Sequence, residues 1–303
     1  MIGYGLGLAR PLPLASAALP GVPLALEGAD TFGLNLRTVD TQDVTVHWGD
    51  GDSDTASVTS GADVTFSHTY DSSFTGNIRI EAANGPTAIL LMSSLTGSLG
   101  AIRFTTADLA PFTAMTTMVF NNNGIAFGGP AIDLPRSITN LQLGGTQVSP
   151  GGLTGAPEDL PPGVTNLQLS GTLNNLVGAL ADFPDTITSM TVRGTSVITG
   201  ALQDAPSACS SLHIRGNSTL NGYNGTPWKT GTQNVSLVRL DNSTNALSST
   251  EVDELINDIN AQAARPNNGG LFLQGASLAA RTSASDAAVT ALLAAGWTVE
   301  TSA

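Results

Sequence analysis

Nucleophilic, acid–base or metal chemistry in these 303 residues would have to be built from three histidines, one cysteine and 24 acids. A Ser or Cys nucleophile needs a His and an acid in reach, yet no G-x-S-x-G elbow accompanies His47, His68 or His213. Cys209 occupies a repeat position held elsewhere by Ile138, Val164 and Ile187, so it reads as a small buried hydrophobe. Acids alternate at Asp50-Gly51-Asp52-Ser53-Asp54 as in a calcium loop, but Gly61 stands where that loop needs a bidentate Glu. The stretch is therefore read as a charged hairpin turn. Gly3-Tyr4-Gly5-Leu6-Gly7 precedes any strand and lacks the lysine of a phosphate loop. Glycoside cleavage needs paired carboxylates, and on the outward positions of the predicted strands only Asp241 is acidic. No catalytic residue, metal or cofactor is assigned, and the chain is expected not to be an enzyme.

The elements that would position any site follow one recurring line. Leu134-Pro135-x-x-Ile138-x-x-Leu141-x-Leu143 returns from Leu160 to Leu169, from Phe183 to Val192 and from Ala205 to Ile214, with a looser copy from Val235 to Leu240. The starts recur at spacings of 26, 23 and 22 residues. Periods of this size mark stacked coils, each burying its apolar edge only against its neighbours. Three residues past each strand stands Asn123, Thr146, Thr172, Thr195, Asn217 or Ser243, a small polar group suited to bonding a turning backbone. These lines resemble the leucine-rich repeat, which implies one short parallel strand per coil and a solenoid over residues 85–247. About nine strands at ~4.8 Å each would make an edge roughly 40 Å long.

Upstream, residues 22–84 alternate in the manner of short strands at Phe32–Leu36, Val44–Trp48, Val64–Tyr70 and Ile78–Ile80. Val46-His47-Trp48-Gly49-Asp50-Gly51 followed by His68-Thr69-Tyr70 resembles the PKD domain, though two residues usually found between Trp and Gly-Asp-Gly are missing. The resemblance implies an immunoglobulin-like sandwich, a spacer or adhesion module without catalysis, in which His68 packs beside Tyr70. Downstream, Ser248 to Glu251 reads as a capping box before a helix with Val252, Leu255, Ile256 and Ile259 on one face. A strand at Leu271–Leu273, a helix from Ser285 to Gly296 and a strand at Trp297–Thr301 follow. The expected fold is mainly β: an arm (1–21), the sandwich (22–84), the solenoid (85–247) and an α/β C-terminal cap (248–303).

A net charge of −13 with one lysine, Lys229, disfavours nucleic acid and anionic lipid as partners. No apolar run reaches membrane-spanning length. The opening MIGYGLGLARPLPLASAALPG is broken by Arg10, Pro11 and Pro13, so it is read as an extended arm and not as a secretion signal. If Leu141 and Leu143 point inward, Gln142 points out, and so do Gln168, Thr191, His213 and Arg239, with Arg193 and Arg215 one step on. This polar ladder, expected on an exposed strand face, is the candidate binding surface for a host-surface glycan or protein. The opening and the closing "AAGWTVE" resemble tailed-phage structural proteins and bacterial surface proteins. That resemblance implies a virion component, present in several copies or as a homo-oligomer, docked on other virion proteins through residues 1–25. The alternatives are an extracellular or cell-surface bacterial adhesin and a polysaccharide-acting enzyme with a PKD spacer. Stacked coils also predict that Leu167→Asp, which places a charge in their core, unfolds the chain; loss of the far-ultraviolet strand signal and of a cooperative melt would register it.

Overall fold

The computed structural model describes residues 21–94, 99–120, 126–144, 152–170, 174–194, 196–216, 219–220, 222–223, 235–240, 246–262, 266–275 and 278–302. The arm up to residue 20, the six polar corner residues from Asn123 to Ser243, Lys229 and Asp241 lie outside them. The described chain is mainly β, with long parallel ladders.

The first ladder contains the residues of the recurring line. Leu141 pairs with Leu167, Leu167 with Met190, Met190 with Leu212, and Leu212 with Val238, all in parallel. The ladder begins earlier, through Met92 and Met118, and ends later, through Leu271 and Val299. From Met92 to Leu271 these side chains are at most 1% exposed. Alternate side chains of a strand leave by opposite faces, so an aliphatic residue at every second position hides one face along the whole stack.

A second parallel ladder runs behind the first, through Ala126–Pro130, Gly152–Gly155, Asn175–Ala179, Val197–Gly200 and Thr219–Leu220. Its signature is an apolar residue, any residue, then glycine: Phe127 and Gly129, Leu153 and Gly155, Leu176 and Gly178, Ile198 and Gly200, Leu220 and Gly222. Gly129 has φ +127°, and a Cβ there would stand 2.4 Å from the Thr106 hydroxyl. Only glycine accepts both the left-handed turn and that approach.

Each coil is tied to the one before by a column of hydroxyls. Thr139, Thr165, Thr188, Ser210 and Ser236 each donate from the side chain to the carbonyl of Thr116, Thr139, Thr165, Thr188 and Ser210, at 3.0–3.3 Å. Their backbone amides reach the same carbonyls at 2.7–2.9 Å. Acids cap four of the five described 3-10 turns that leave the second ladder. The carboxylates of Asp108, Asp159, Asp182 and Asp204 accept from the amides of Thr105, Ala156, Ala179 and Ala201.

The N-terminal strands do not form a detached unit. β1 (Val22–Thr38) pairs antiparallel with β4 (Val64–Ala82), and β2 (Gln42–His47) pairs with both β3 (Ser53–Val58) and β4. The Leu34–Thr38 end of β1 pairs with β5 (Ile89–Ser94), which opens the first ladder. Its Ala25–Thr31 stretch pairs with β6 (Leu99–Thr105), which opens the second. Two expected short strands, Val64–Tyr70 and Ile78–Ile80, are one strand of 19 residues. Register shifts between Leu26 and Thr31 of β1 absorb the mismatch with the segment that had read as a turn.

At the other end, α1 (Ser249–Ala261) and α2 (Asp286–Ala294) cover the core, while Gly270–Leu273 and Thr298–Thr301 extend the first ladder. Ser248 and Glu251 form the expected reciprocal cap, and Val252, Leu255, Ile256 and Ile259 are buried. Asp253 joins the helices: it is 5% exposed and accepts from the hydroxyls of Ser285 and Thr282 and from the Thr282 amide. Burial pushes its carboxyl up, but these donors and the Arg281 charge outweigh it and hold the group below the usual carboxylate range. A depressed value stabilises the fold above the ordinary carboxylate pKa of about 3.9, and that contribution is lost as pH falls through the folded-state value. Asp253→Ala should cost about 2–3 kcal/mol at neutral pH by leaving buried donors unmet, and urea melts should show the gap narrowing in acid.

Candidate functional site

The outward positions of the first ladder form one row: Ser93, Val119, Gln142, Gln168, Thr191, His213, Arg239, Phe272 and Glu300. The five sequence-predicted residues between Gln142 and Arg239 are thus brought together, one per coil. Arg193 and Arg215 follow the strand ends of adjacent coils, where their amides bond the Leu169 and Val192 carbonyls at 2.8 and 2.9 Å. A Cβ on Gly216 would stand 2.3 Å from the Gly194 carbonyl oxygen, so the turns after these arginines lie almost backbone to backbone.

The exposure expected for this face needs correction. Gln142, Gln168, Thr191, Arg193, Arg215 and Arg239 are half-buried, and His213 is 5% exposed. Strands about 4.8 Å apart bring long polar side chains onto their neighbours. The Arg193 guanidinium lies 3.0 Å from His213 Nδ1, and that of Arg239 sits 4.6 Å from the centre of the Phe272 ring, a cation–π distance. Asn166 donates to the Asn140 side chain at 3.0 Å, and so does Gln142. Along the row the chemistry passes from amides to cations to the Glu300 carboxylate.

The second cluster lies in the N-terminal strands. Trp48 is fully buried, and its indole N–H donates to Asp54 at 2.8 Å. The His68 ring stacks on Trp48 at 5.2 Å and meets Tyr70 edge-on at 4.6 Å; Tyr70 stacks on Phe74 at 4.5 Å. Tyr70 donates its hydroxyl proton to the Trp48 carbonyl at 3.1 Å. Asp50 closes the group, one oxygen accepting from the Asp52 amide at 3.0 Å and the other 2.7 Å from His68 Nε2. No family model, curated protein or solved structure matches this chain. Geometry therefore carries what can be said of its chemistry.

The calcium-like run of acids is divided by the fold. Asp54 serves the Trp48 indole, whereas Asp50, Asp52 and His68 offer ligand atoms within 4.8 Å of one another. Two carboxylates and an imidazole could ligate a divalent cation, at the rim of a cleft of about 520 Å³ that Asp71 and Ser72 also line. Both Asp50 oxygens are already committed, however, and a cation would have to displace His68 from one of them. Burial pushes the Asp50 carboxyl up, and the Asp52 amide and His68 more than reverse this.

His47 lies against Glu81 at 3.1 Å, so each of the three histidines faces a charged partner. Cys209 is fully buried, as its repeat position implied. The hydroxyl column keeps the repeat's own spacing, and the capping acids keep it from Asp159 to Asp204, so both were open to a sequence reading.

Burial and then the Asp50 charge raise the Tyr70 phenol well above its ordinary value. A raised value means stability that is complete below the ordinary tyrosine pKa of about 10 and lost as pH rises through the folded-state value. Tyr70→Phe should cost about 1 kcal/mol near neutrality and should make urea midpoints less sensitive to alkali. Phenolate absorbance of the unsubstituted chain should show a late tyrosine that titrates only as the fold opens.

Proposed function

We propose that this chain is a non-enzymatic structural and adhesive protein of a phage virion. In this reading a PKD-like, immunoglobulin-like sandwich continues into a leucine-rich-repeat-like solenoid, which carries the polar row as a recognition face. The observation that carries it is the unbroken row from Ser93 to Glu300, held in register by parallel pairing along its whole length. A row of amides, a hydroxyl and cations at regular spacing suits repeated hydrogen bonding to a glycan or a partner strand, and stacked repeats commonly use such a face for binding. The Trp48–His68–Tyr70 stack supports the PKD-like part, because the residues that carry the resemblance lie in one contact group. Residues 1–25 would dock on other virion proteins, in several copies per particle, and the face would meet the host surface.

Mass spectrometry of purified particles from the phage encoding this chain should detect it in stoichiometric amounts. Absence from particles would remove the virion reading, and turnover of oligosaccharides that Asp241→Asn or His213→Ala abolishes would replace it with an enzyme.

A further inference from the structure

One contact between neighbouring coils is made once and then omitted. Arg136 stands five residues before Leu141 and reaches onto the next coil, where its guanidinium donates to the carbonyls of Asp159 at 2.7 Å and Leu160 at 2.9 Å. The coil beginning at Leu160 has Pro162 at the same place, five residues before Leu167. The carbonyls that correspond one coil on are those of Asp182 and Phe183, since Leu167 pairs with Met190. Among the described residues no side chain covers that pair as Arg136 covers its own.

A pocket of about 400 Å³ occupies this place. Leu160, Pro162 and Pro184 give it apolar walls, and Glu158, Asp182 and Asp185 bring three carboxylates to it. Two of the three are partly engaged: Asp182 accepts from the Ala179 amide at 2.8 Å and Asp185 from the Ser207 amide at 3.2 Å. Glu158 is exposed at the rim. A rigid planar cation with an aliphatic stem matches such a lining, with the fork of N–H groups on carbonyl and carboxylate oxygens and the methylenes on proline.

We infer that this pocket receives an arginine side chain of a partner polypeptide, seated as Arg136 is seated one coil earlier. The repeat itself supplies the template for the ligand, and a chain of net charge −13 favours the approach of a basic partner. The site lies on the turns and not on the polar row, so the inference stands apart from the recognition face proposed above. It concerns a protein contact, whether the particle is viral or not.

The test uses the full chain, labelled for amide NMR, with the peptide acetyl-Gly-Arg-Gly-amide and its citrulline and lysine counterparts. Citrulline keeps the shape of arginine and removes the charge. The arginine peptide should give saturable shifts confined to residues 158–163 and 182–187, and the citrulline peptide none. Lysine, which lacks the planar fork, should bind at least about tenfold more weakly. Pro162→Arg should rebuild the Arg136 arrangement, fill the pocket from within and abolish the shifts, with an unchanged melting curve showing that the coil still folds. Glu158→Gln, at an exposed position, should weaken binding without touching the fold. Shifts spread over the acidic surface, equal binding of lysine, or full binding by Pro162→Arg would each overturn the inference.

Discussion

An open stack of coils has no way to close on itself. Each coil hides its aliphatic edge against the next, and the backbone groups of a terminal strand remain unpaired on one side. The whole molecule answers this constraint. At one end a single strand, β1, crosses both ladders and pairs with the opening strand of each. At the other the last described strand of the second ladder is Thr219–Leu220, whose Leu220 carbonyl accepts from the Ala246 amide at 3.1 Å, and the helices α1 and α2 cover the core beyond it while the first ladder runs on to Thr301. The polar row follows from the same pairing: alternate side chains of each strand leave by opposite faces, so burying Leu141 and its partners turns Gln142 and its partners to the other side.

Part of the acidity of the chain has an architectural origin. Asp108, Asp159, Asp182 and Asp204 each hold the amide that begins a short turn, in four of five successive coils. Glu251 caps α1 and also accepts from the Tyr223 amide, and Asp253 ties α1 to the segment before α2. A carboxylate is the natural group for this work, since it accepts from unpaired N–H groups at the start of a helical turn. Net charge read from composition points to partners; here six of the 24 acids already serve turns and helix ends. The pocket beside Pro162 departs from that pattern because a cation is present one coil earlier and missing at that place.

The first ladder could be read from the chain because Leu141, Leu167, Met190 and Leu212 repeat a strong aliphatic pattern with proline before it. The second ladder could not, since beyond β6 its strands are two to five residues long and bury one large apolar residue each, too short for alternation to register. The length of β1 and β4 was hidden for a different reason. Asp71, Ser72 and Gly76 are turn formers by propensity, yet pairing with β1 up to Thr69 and again from Phe74 keeps that stretch extended, and tertiary context overrides local preference. Among site residues, the register sets Gln142 through Arg239 in one row. Alternation could not say how far Arg193 would lie over His213, because that depends on side chains from the neighbouring coil.

The crossing of β1 has a mechanical meaning. A tether pulling on the first strand loads the hydrogen bonds to β5 and β6 along the strand direction, so many bonds must slide together instead of opening one by one. Tension entering there is shared between both columns of the stack, because β1 pairs with the opening strand of each. Strands wired in this way pass a tug on β1 to the coils behind it as a stiff shaft would.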